Sequence, residues 1–437
     1  MISKVGFAAE IEAFAKERGP LTIGLAGAGQ MGIDIVLNLS MLPGVRVGAV
    51  SETRRAKVQE AMTMSGRGAG DVVFANTPAE IDRAIEMGKL AIIEDYRAMC
   101  AAGRIDAIID ATGNPNSGAE IALETIRNGK PIVMLNVEAD ITVGRYLKEE
   151  ARKAGVVYTG AAGDEPQATI ELIGFAQSIG LEIISAGKGK NNALDFDATP
   201  DQFEAEAHER NMNPRMLVEF VDGSKTMVEM TAIGNATGLT PDIPGMHGPN
   251  ASLENLAATL CTKEDGGVLS RAGCVDYTIG KGVAPGVFCV VKPRHPRLLE
   301  RMVDLKVGPG PNFALVRPFH LTSMEAHLTA FRAVKYHQPD IVPLDYPVAE
   351  CGAVAKRDLQ PGHSLGRIGQ YDYRGFNMSW VQGRQKKALP MGLAERSKVL
   401  RPIKKGELLT YDNCAPDETL VITQIRRKLD AADARFL

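Results

Sequence analysis

At 437 residues the chain is long enough for two or three domains, and 45% apolar content suffices to bury a core in each. A net charge of −3 excludes a global basic field, and with it nucleic acid as the main partner. No run of 18 apolar residues occurs, so no membrane span is expected; the six cysteines, none spaced C-x-x-C, read as reduced thiols of a cytoplasmic protein.

The N-terminal "MISKVGFAAEIEAFAKERGP" carries apolar residues at helical spacing broken by Glu and Lys, which predicts a surface helix and not a secretory leader. From residue 21 to about 160, short apolar runs alternate with helical segments. "LTIGLAG" reads as a strand, "QMGIDIVLNLSML" as a helix and "VRVGAVSE" as a second strand. "TPAEIDRAIEMGK" opens with Thr77 as N-cap, Pro78 at the first helical position and Glu80 closing a capping box. "IDAIIDATG" and "PIVMLNVE" are further strands, "AEIALETIRNGK" and "VGRYLKEEARKAG" further helices. The alternation predicts an α/β fold: a Rossmann-type doubly wound parallel sheet over residues 1–165.

Beyond it, a helix at "ATIELIGFAQSIG", a strand at "LEIISAGKGKNNALDF", a helix at "LENLAATL" and strands near "GVFCVVK" and "NFALVRPF" predict an α+β central domain over 166–340 for substrate binding, catalysis and dimerisation. Short strands and turns over 341–437 predict a small β-rich C-terminal domain.

"GLAGAGQMG" follows the first strand and opens the first helix. In this G-x-G-x-x-G, Gly27 permits the tight turn, Gly29 lets a pyrophosphate approach the backbone and Gly32 lets helix and strand pack closely. Gln30 and Met31, at the helix start, offer N–H groups to the phosphates. Glu52 stands 20 positions after Gly32, where an acid would bind the 2′-hydroxyl of NAD. Arg54 and Arg55 follow at once and suit a 2′-phosphate, with Ser51 adding a hydroxyl, so NADP is favoured over NAD. Small residues Ala111, Thr112 and Gly113 in "DATGNP" would let the nicotinamide ribose lie close. Asn136 and Glu138 in "NVEAD" either edge the nicotinamide pocket or cap a helix.

Outside that domain, Lys188 and Lys190 flank Gly189 and precede Asn191 and Asn192. On an extended chain positions i and i+2 face one way, so two ammonium groups and two amides would meet a phosphate or an oxygen-rich substrate. A lysine there could also protonate an oxygen whose carbon receives hydride. Arg317 suits a phosphate or carboxylate, His320 is a polar tether or general acid, and Asp304 with Lys306 forms an i, i+2 pair of the kind that recurs in hydride-transfer sites. Asp242 and His247 lie in a Pro/Gly-rich loop. Asp164 and Glu165, adjacent at a strand end, read either as ligands of a divalent cation or as acids opening a helix.

Taken together, "GLAGAGQMG", "IIDATGNP", "NVEAD", "GKGKNN", "RPFHLTSMEAHLTAFRA" and the tail "AVAKRDLQPGHSLGRIG…RPIKKGELLT" resemble the homoserine-dehydrogenase-like oxidoreductases with a C-terminal SAF-type domain. Within that group the chain resembles the DXP-reductoisomerase-like proteins. The resemblance implies NADPH-dependent conversion of 1-deoxy-D-xylulose 5-phosphate to 2-C-methyl-D-erythritol 4-phosphate in isoprenoid precursor synthesis. It also implies a divalent cation (Mg2+ or Mn2+) at Asp164 and Glu165, inhibition by fosmidomycin, and a homodimer. Two alternatives stand beside it: a homoserine-type dehydrogenase without rearrangement, and a non-catalytic NADP-sensing protein.

Overall fold

The strand β1 (Leu21–Ala26) is buried along its whole length and lies at the middle of a seven-stranded sheet. The structure is a computed structural model that describes residues 2–52, 55–64, 68–210 and 212–436, without the side chains of 55, 57, 60–62 and 69. The other strands of this sheet are β2 (Val45–Ser51), β3 (Val72–Phe74), β4 (Leu90–Ile93), β5 (Ala107–Asp110), β6 (Ile132–Met134) and β7 (Tyr158–Gly160). Their order is β3-β4-β2-β1-β5-β6-β7, with every pairing parallel. A parallel pair needs a crossover, and helices on both faces bury both sides of the inner strands, which is why these read as apolar runs; the edge strand β3 is only partly covered.

Capping sets where the crossover helices start. Thr77 Oγ1 accepts from Glu80 N–H, while Glu80 Oε2 accepts from Thr77 N–H, so the predicted capping box forms on helix Pro78–Glu86. Asn114 and Asn136 cap helices Pro115–Arg127 and Val137–Ala154 with their side-chain oxygens alone, accepting from Ser117 N–H and Ala139 N–H. The strand order reverses between β1 and β5, the switch point at which open α/β sheets form a crevice.

By contacts the chain forms two compact units: Met1–Asp164 with Leu321–Val342, and Glu165–His320 with Pro343–Leu437. The sequence division at 165 and 340 cuts across this arrangement. Residues 321–342 return to the first unit because helix Thr322–Tyr336 carries Ala326, Ala330 and Phe331 into the core of the parallel sheet. There the Phe331 ring stands edge-on to Phe7 and Phe14, with centroids 6.0 and 5.5 Å apart.

The second unit is built on a five-stranded mixed sheet. Its strands are β8 (Glu182–Gly189), β9 (Thr240–Pro241), β10 (Cys274–Thr278), β11 (Val287–Lys292) and β12 (Phe313–Arg317), in the order β12-β11-β8-β10-β9. The central strand β8 runs parallel to β10 and antiparallel to β11. Helix Glu165–Ser178 packs beside it, and helix Ser224–Thr237 packs against that helix and β10. The last segment adds the hairpin β13 (Ala349–Ala355) and β14 (Tyr373–Ser379), the short pair β15 (Lys398–Val399) and β16 (Cys414–Ala415), and helix Val421–Asp433. The hairpin rests on helix Ser224–Thr237, where Gly375 N–H donates to Ser224 Oγ at 2.8 Å. All six cysteines are buried free thiols. Among the described residues no helix is long and apolar enough to cross a membrane.

Candidate active site

The glycine turn is shaped as its residue types require. Gly27 has φ +94°, and a Cβ on it would sit 2.9 Å from the Ala111 carbonyl at the end of β5, so only glycine fits. A Cβ on Gly32 would lie 2.1 Å from the Gly27 carbonyl oxygen. Gly29 differs: a Cβ there meets nothing within 4 Å, so the backbone at this point faces open space. Helix Gln30–Ser40 begins here, with Gln30 exposed and Met31 half-buried, and the first N–H groups of a helix have no intrahelical acceptor. A pyrophosphate fits such a cradle.

Around it, Glu52 is buried and its Oε2 accepts from Ala28 N–H at 2.9 Å, which ties the end of β2 to the turn itself. The buried Ser51 hydroxyl is turned to the Glu94 carbonyl at 3.4 Å. Arg54 lies outside the described residues, as does the side chain of Arg55, whose backbone opens helix Arg55–Met64. Asp110, fully buried, binds Thr112 through its N–H (3.0 Å) and hydroxyl (2.7 Å) and accepts from Asn136 Nδ2 at 3.1 Å; burial raises its carboxyl above the usual range. Asn136 is thus a buried tie among Asp110, Asn114 and its own helix, and it leaves Ala111, Thr112 and Gly113 at the sheet edge. Glu138 is buried in the first turn of that helix.

In the second unit the chemistry gathers on β8. Lys188 faces inward, and its ammonium lies 2.6 Å from Glu165 Oε1 and 2.5 Å from Glu229 Oε2. All three side chains are at most 9% exposed. Burial opposes the charge on Lys188, but the two carboxylates beside it hold its affinity for the proton above that of an ordinary lysine. Burial, with repulsion from Glu165, pushes Glu229 up to about 7 against the pull of Lys188. Two buried carboxylates sharing one ammonium leave an excess negative charge that a single proton removes, so the trio is built to hold one. Lysine has three N–H donors; these carboxylates take two, and the third has no protein partner among the described residues. His320 Nε2 stands 3.4 Å from Glu165 Oε1. Lys190 is buried near Lys188 and donates to the Phe220 carbonyl; burial first and Lys188 second lower it to about 8.

Other predicted site residues fall elsewhere. Asn191 is exposed, and Asn192 is half-buried with its Oδ1 accepting from Arg210, so the two amides belong to a surface turn and do not join the two ammonium groups inside. Arg317 ends β12, pairs with Glu171 at 2.8 Å and lies over the Phe319 ring. Asp304 is not on a strand. "PRLLERMVD" forms a helix capped by His295 through Arg297 N–H, and Asp304 ends it on the surface, 3.7 Å from Arg301. The divalent cation expected at Asp164 and Glu165 does not fit. Glu165 opens its helix with its carboxylate on the Lys188 ammonium, Asp164 ends the other unit, and the described residues contain no group of three or more His, Cys, Asp or Glu that could hold a metal ion.

Glu229 was not among the expected residues. Its signal is faint: one acid in the otherwise apolar run "MVEMTAIG" of a helix whose residues are nearly all buried. Asp242 and His247, 2.9 Å apart, are drawn to β10 by Asp276, which accepts from the N–H groups of His247 and Gly248.

Residues 163–326 match the family model described as the catalytic domain of the oxidoreductase DRL. No curated protein matches the chain. Among solved structures, a probable dehydrogenase from Thermotoga maritima is similar at 14% identity and TM-score 0.42, over 73% of this chain and 90% of that one. Scyllo-inositol dehydrogenase from Lactobacillus casei, with bound NAD(H) and scyllo-inositol, is similar at 12% identity and TM-score 0.33, over 62% of this chain and 73% of its own. DOX-P reductoisomerase in complex with magnesium is similar at 14% identity and TM-score 0.33; the match spans 48% of this chain and 56% of that one, about half its length.

Proposed function

We propose that this protein is an NADPH-dependent oxidoreductase that rearranges and reduces 1-deoxy-D-xylulose 5-phosphate to 2-C-methyl-D-erythritol 4-phosphate. The observation that carries the reading is the Lys188 ammonium, buried between Glu165 and Glu229 with one N–H unclaimed, inside the segment that resembles an oxidoreductase catalytic domain. The turn Gly27–Gly32 receives the pyrophosphate, Ala111, Thr112 and Gly113 leave room for the nicotinamide ribose, and Ser51, Glu52, Arg54 and Arg55 meet the adenosine end. When bound, the nicotinamide supplies the hydride.

The protein's own part is proton management. Lys188 donates its third N–H to the substrate carbonyl oxygen and gives up that proton as the carbon is reduced, so C=O gains one hydride and one proton. A proton held by Glu229 then restores the ammonium. In the rearrangement the C3–C4 bond of the sugar breaks as a C2–C4 bond forms, the C3 hydroxyl loses its proton to become the aldehyde and the C2 carbonyl oxygen gains one, and a carboxylate touching an ammonium can take the first proton and deliver the second. Arg317, His320, Asn191 and Asn192 are assigned outer polar contacts of the phosphorylated sugar, and the acting species is proposed to be a homodimer.

The test is NADPH absorbance in the presence of 1-deoxy-D-xylulose 5-phosphate. Oxidation that stops on adding fosmidomycin is the expected result. An enzyme that binds NADPH but leaves it unoxidised with this sugar phosphate, and oxidises it with an unrearranged hydroxy-aldehyde, would be a simple dehydrogenase.

A further inference from the structure

Two cations in the second unit, one buried and one half-buried, lack a carboxylate partner among the described residues. The first is Lys190, 6% exposed, whose ammonium donates only to the Phe220 carbonyl. The second is Arg374 on β14. Its guanidinium lies 4.1 Å from the Phe196 ring centroid and 5.8 Å from that of Phe376, and its one hydrogen bond goes to the Gly375 carbonyl at 3.4 Å. Both abut the turn that joins residues 220 to 224. Lys190 holds the Phe220 carbonyl, the Phe196 ring that carries Arg374 lies 3.6 Å from the Cβ position of Gly223, and Gly375 donates to Ser224.

The charged groups around them are already committed. Asp222 acts on both cations but is bonded to Lys356 at 3.0 Å and to Ser224 N–H at 2.9 Å. Asp197, which acts on Arg374, is paired with Lys405 at 2.6 Å. Glu229, which acts on Lys190, is held by Lys188, and Lys188 itself repels Lys190. Tyr277, facing Arg374 from β10, carries a phenol whose proton burial holds in place. Burial raises the cost of both positive charges. A cation withdrawn from water without a counter-ion is costly unless a ligand provides one. A planar guanidinium stacked on the Phe196 ring, with an ammonium on the same turn, matches the several oxygens of a tetrahedral dianion.

We infer that Lys190 and Arg374 together seat the phosphate of the substrate, so that the C-terminal segment contributes directly to the active site. The inference rests on the reading of the substrate as a phosphorylated sugar. It moves the phosphate grip from Asn191, Asn192 and Arg317 to a pair that the β13–β14 hairpin completes.

The probe is inorganic phosphate, titrated into the full-length protein by calorimetry at fixed ionic strength with chloride as the control. Wild type is expected to bind phosphate saturably. Arg374→Gln and Lys190→Gln should each weaken it roughly 10- to 100-fold, and Arg374→Lys should restore part of the loss. Fluorescence of Trp380, the chain's single tryptophan and part of the same unit, serves as the check that each variant is folded there; if Lys190→Gln fails it, the two Arg374 variants decide. Phosphate binding that chloride abolishes equally, or that Arg374→Gln leaves unchanged, overturns the inference. A wild type that binds phosphate through these residues yet leaves NADPH unoxidised with 1-deoxy-D-xylulose 5-phosphate would overturn the proposed reaction and leave the anion seat standing. Turnover of that substrate with an unchanged KM in Arg374→Gln would do the reverse.

Discussion

The ammonium of Lys188 lies 2.5 Å from Oε2 of Glu229, and the other oxygen of that carboxylate is buried without a hydrogen-bond partner among the described residues. An unsatisfied buried carboxylate oxygen is tolerated best when the group carries a proton, and Glu229 is raised from 4.5 to about 7. A group whose folded-state value is raised favours the folded state fully below its unfolded value, and that contribution is lost as pH climbs through the folded value. Stability attributable to Glu229 should therefore fall between about pH 4.5 and 7, by on the order of a few kcal/mol. Urea unfolding of wild type and Glu229→Gln across that window tests it. The variant should show a shallower decline, and two parallel curves would remove the held proton from the account.

Removing the ammonium separates chemistry from folding. Lys188→Met leaves Glu165 and Glu229 facing each other in a buried site, which costs roughly 3–5 kcal/mol unless one of them takes up a proton. Turnover should drop by about 10²- to 10⁴-fold, the usual size of a lost general acid. NADPH affinity should hold, since the glycine turn belongs to the other unit. A Lys188→Met protein that binds NADPH and reduces substrate at the wild-type rate would strip Lys188 of its role.

The glycine turn yields a contrast between two positions three residues apart. Gly29 has φ −70°, within reach of any residue, and a Cβ there meets nothing. Gly29→Val should thus leave the melting temperature of the ligand-free protein unchanged while its side chain fills the space a pyrophosphate needs, abolishing NADPH binding. Gly32→Ala should do the opposite first. Its methyl would lie 2.1 Å from the Gly27 carbonyl oxygen, a backbone atom that moves only with the turn, so a loss of roughly 1–3 kcal/mol is expected. Thermal melts and NADPH titrations of both variants check the pair; if Gly29→Val binds NADPH normally, the cofactor does not rest on this turn.

What could be read from residue order follows from how local each signal is. The capping box at Thr77 and Glu80 and the strand–glycine–helix unit at 21–32 are complete within a few residues, and both are present as expected. The parallel strands announced themselves because burial on two faces demands unbroken apolar runs, although β3 and β4 passed unnoticed at three and four residues each. Helix Thr322–Tyr336 has clear periodicity, but periodicity does not say which core a helix joins, and it joins the first. The candidate site was half visible. Lys188 stands out in "GKGKNN", whereas Glu229 is 41 residues away and gains meaning only when folding brings its carboxylate to the Lys188 ammonium. Arg374 is more distant still and looks like an ordinary strand cation until its lack of an acidic partner is seen.

Lys356, just past β13, and Asp222, in the turn before helix Ser224–Thr237, form an ion pair at 3.0 Å whose side chains are 2% and 0% exposed. It joins the C-terminal segment to the floor of the proposed site, and burial raises the carboxyl of Asp222 in spite of Lys356. Taking one partner away leaves the other charge buried and uncompensated, so Lys356→Met should cost about 3–5 kcal/mol. Asp222→Asn should cost a similar amount: the amide keeps an oxygen for Ser224 N–H, which now donates to Oδ1 at 2.9 Å, but it leaves the Lys356 ammonium buried alone. The double variant should regain part of the loss, since neither charge then remains alone. A coupling energy of about 1–3 kcal/mol from urea unfolding of the four proteins is the expected outcome. Additive losses would mean that the pair does not fasten the segment, and that the hairpin is held by its apolar contacts with helix Ser224–Thr237.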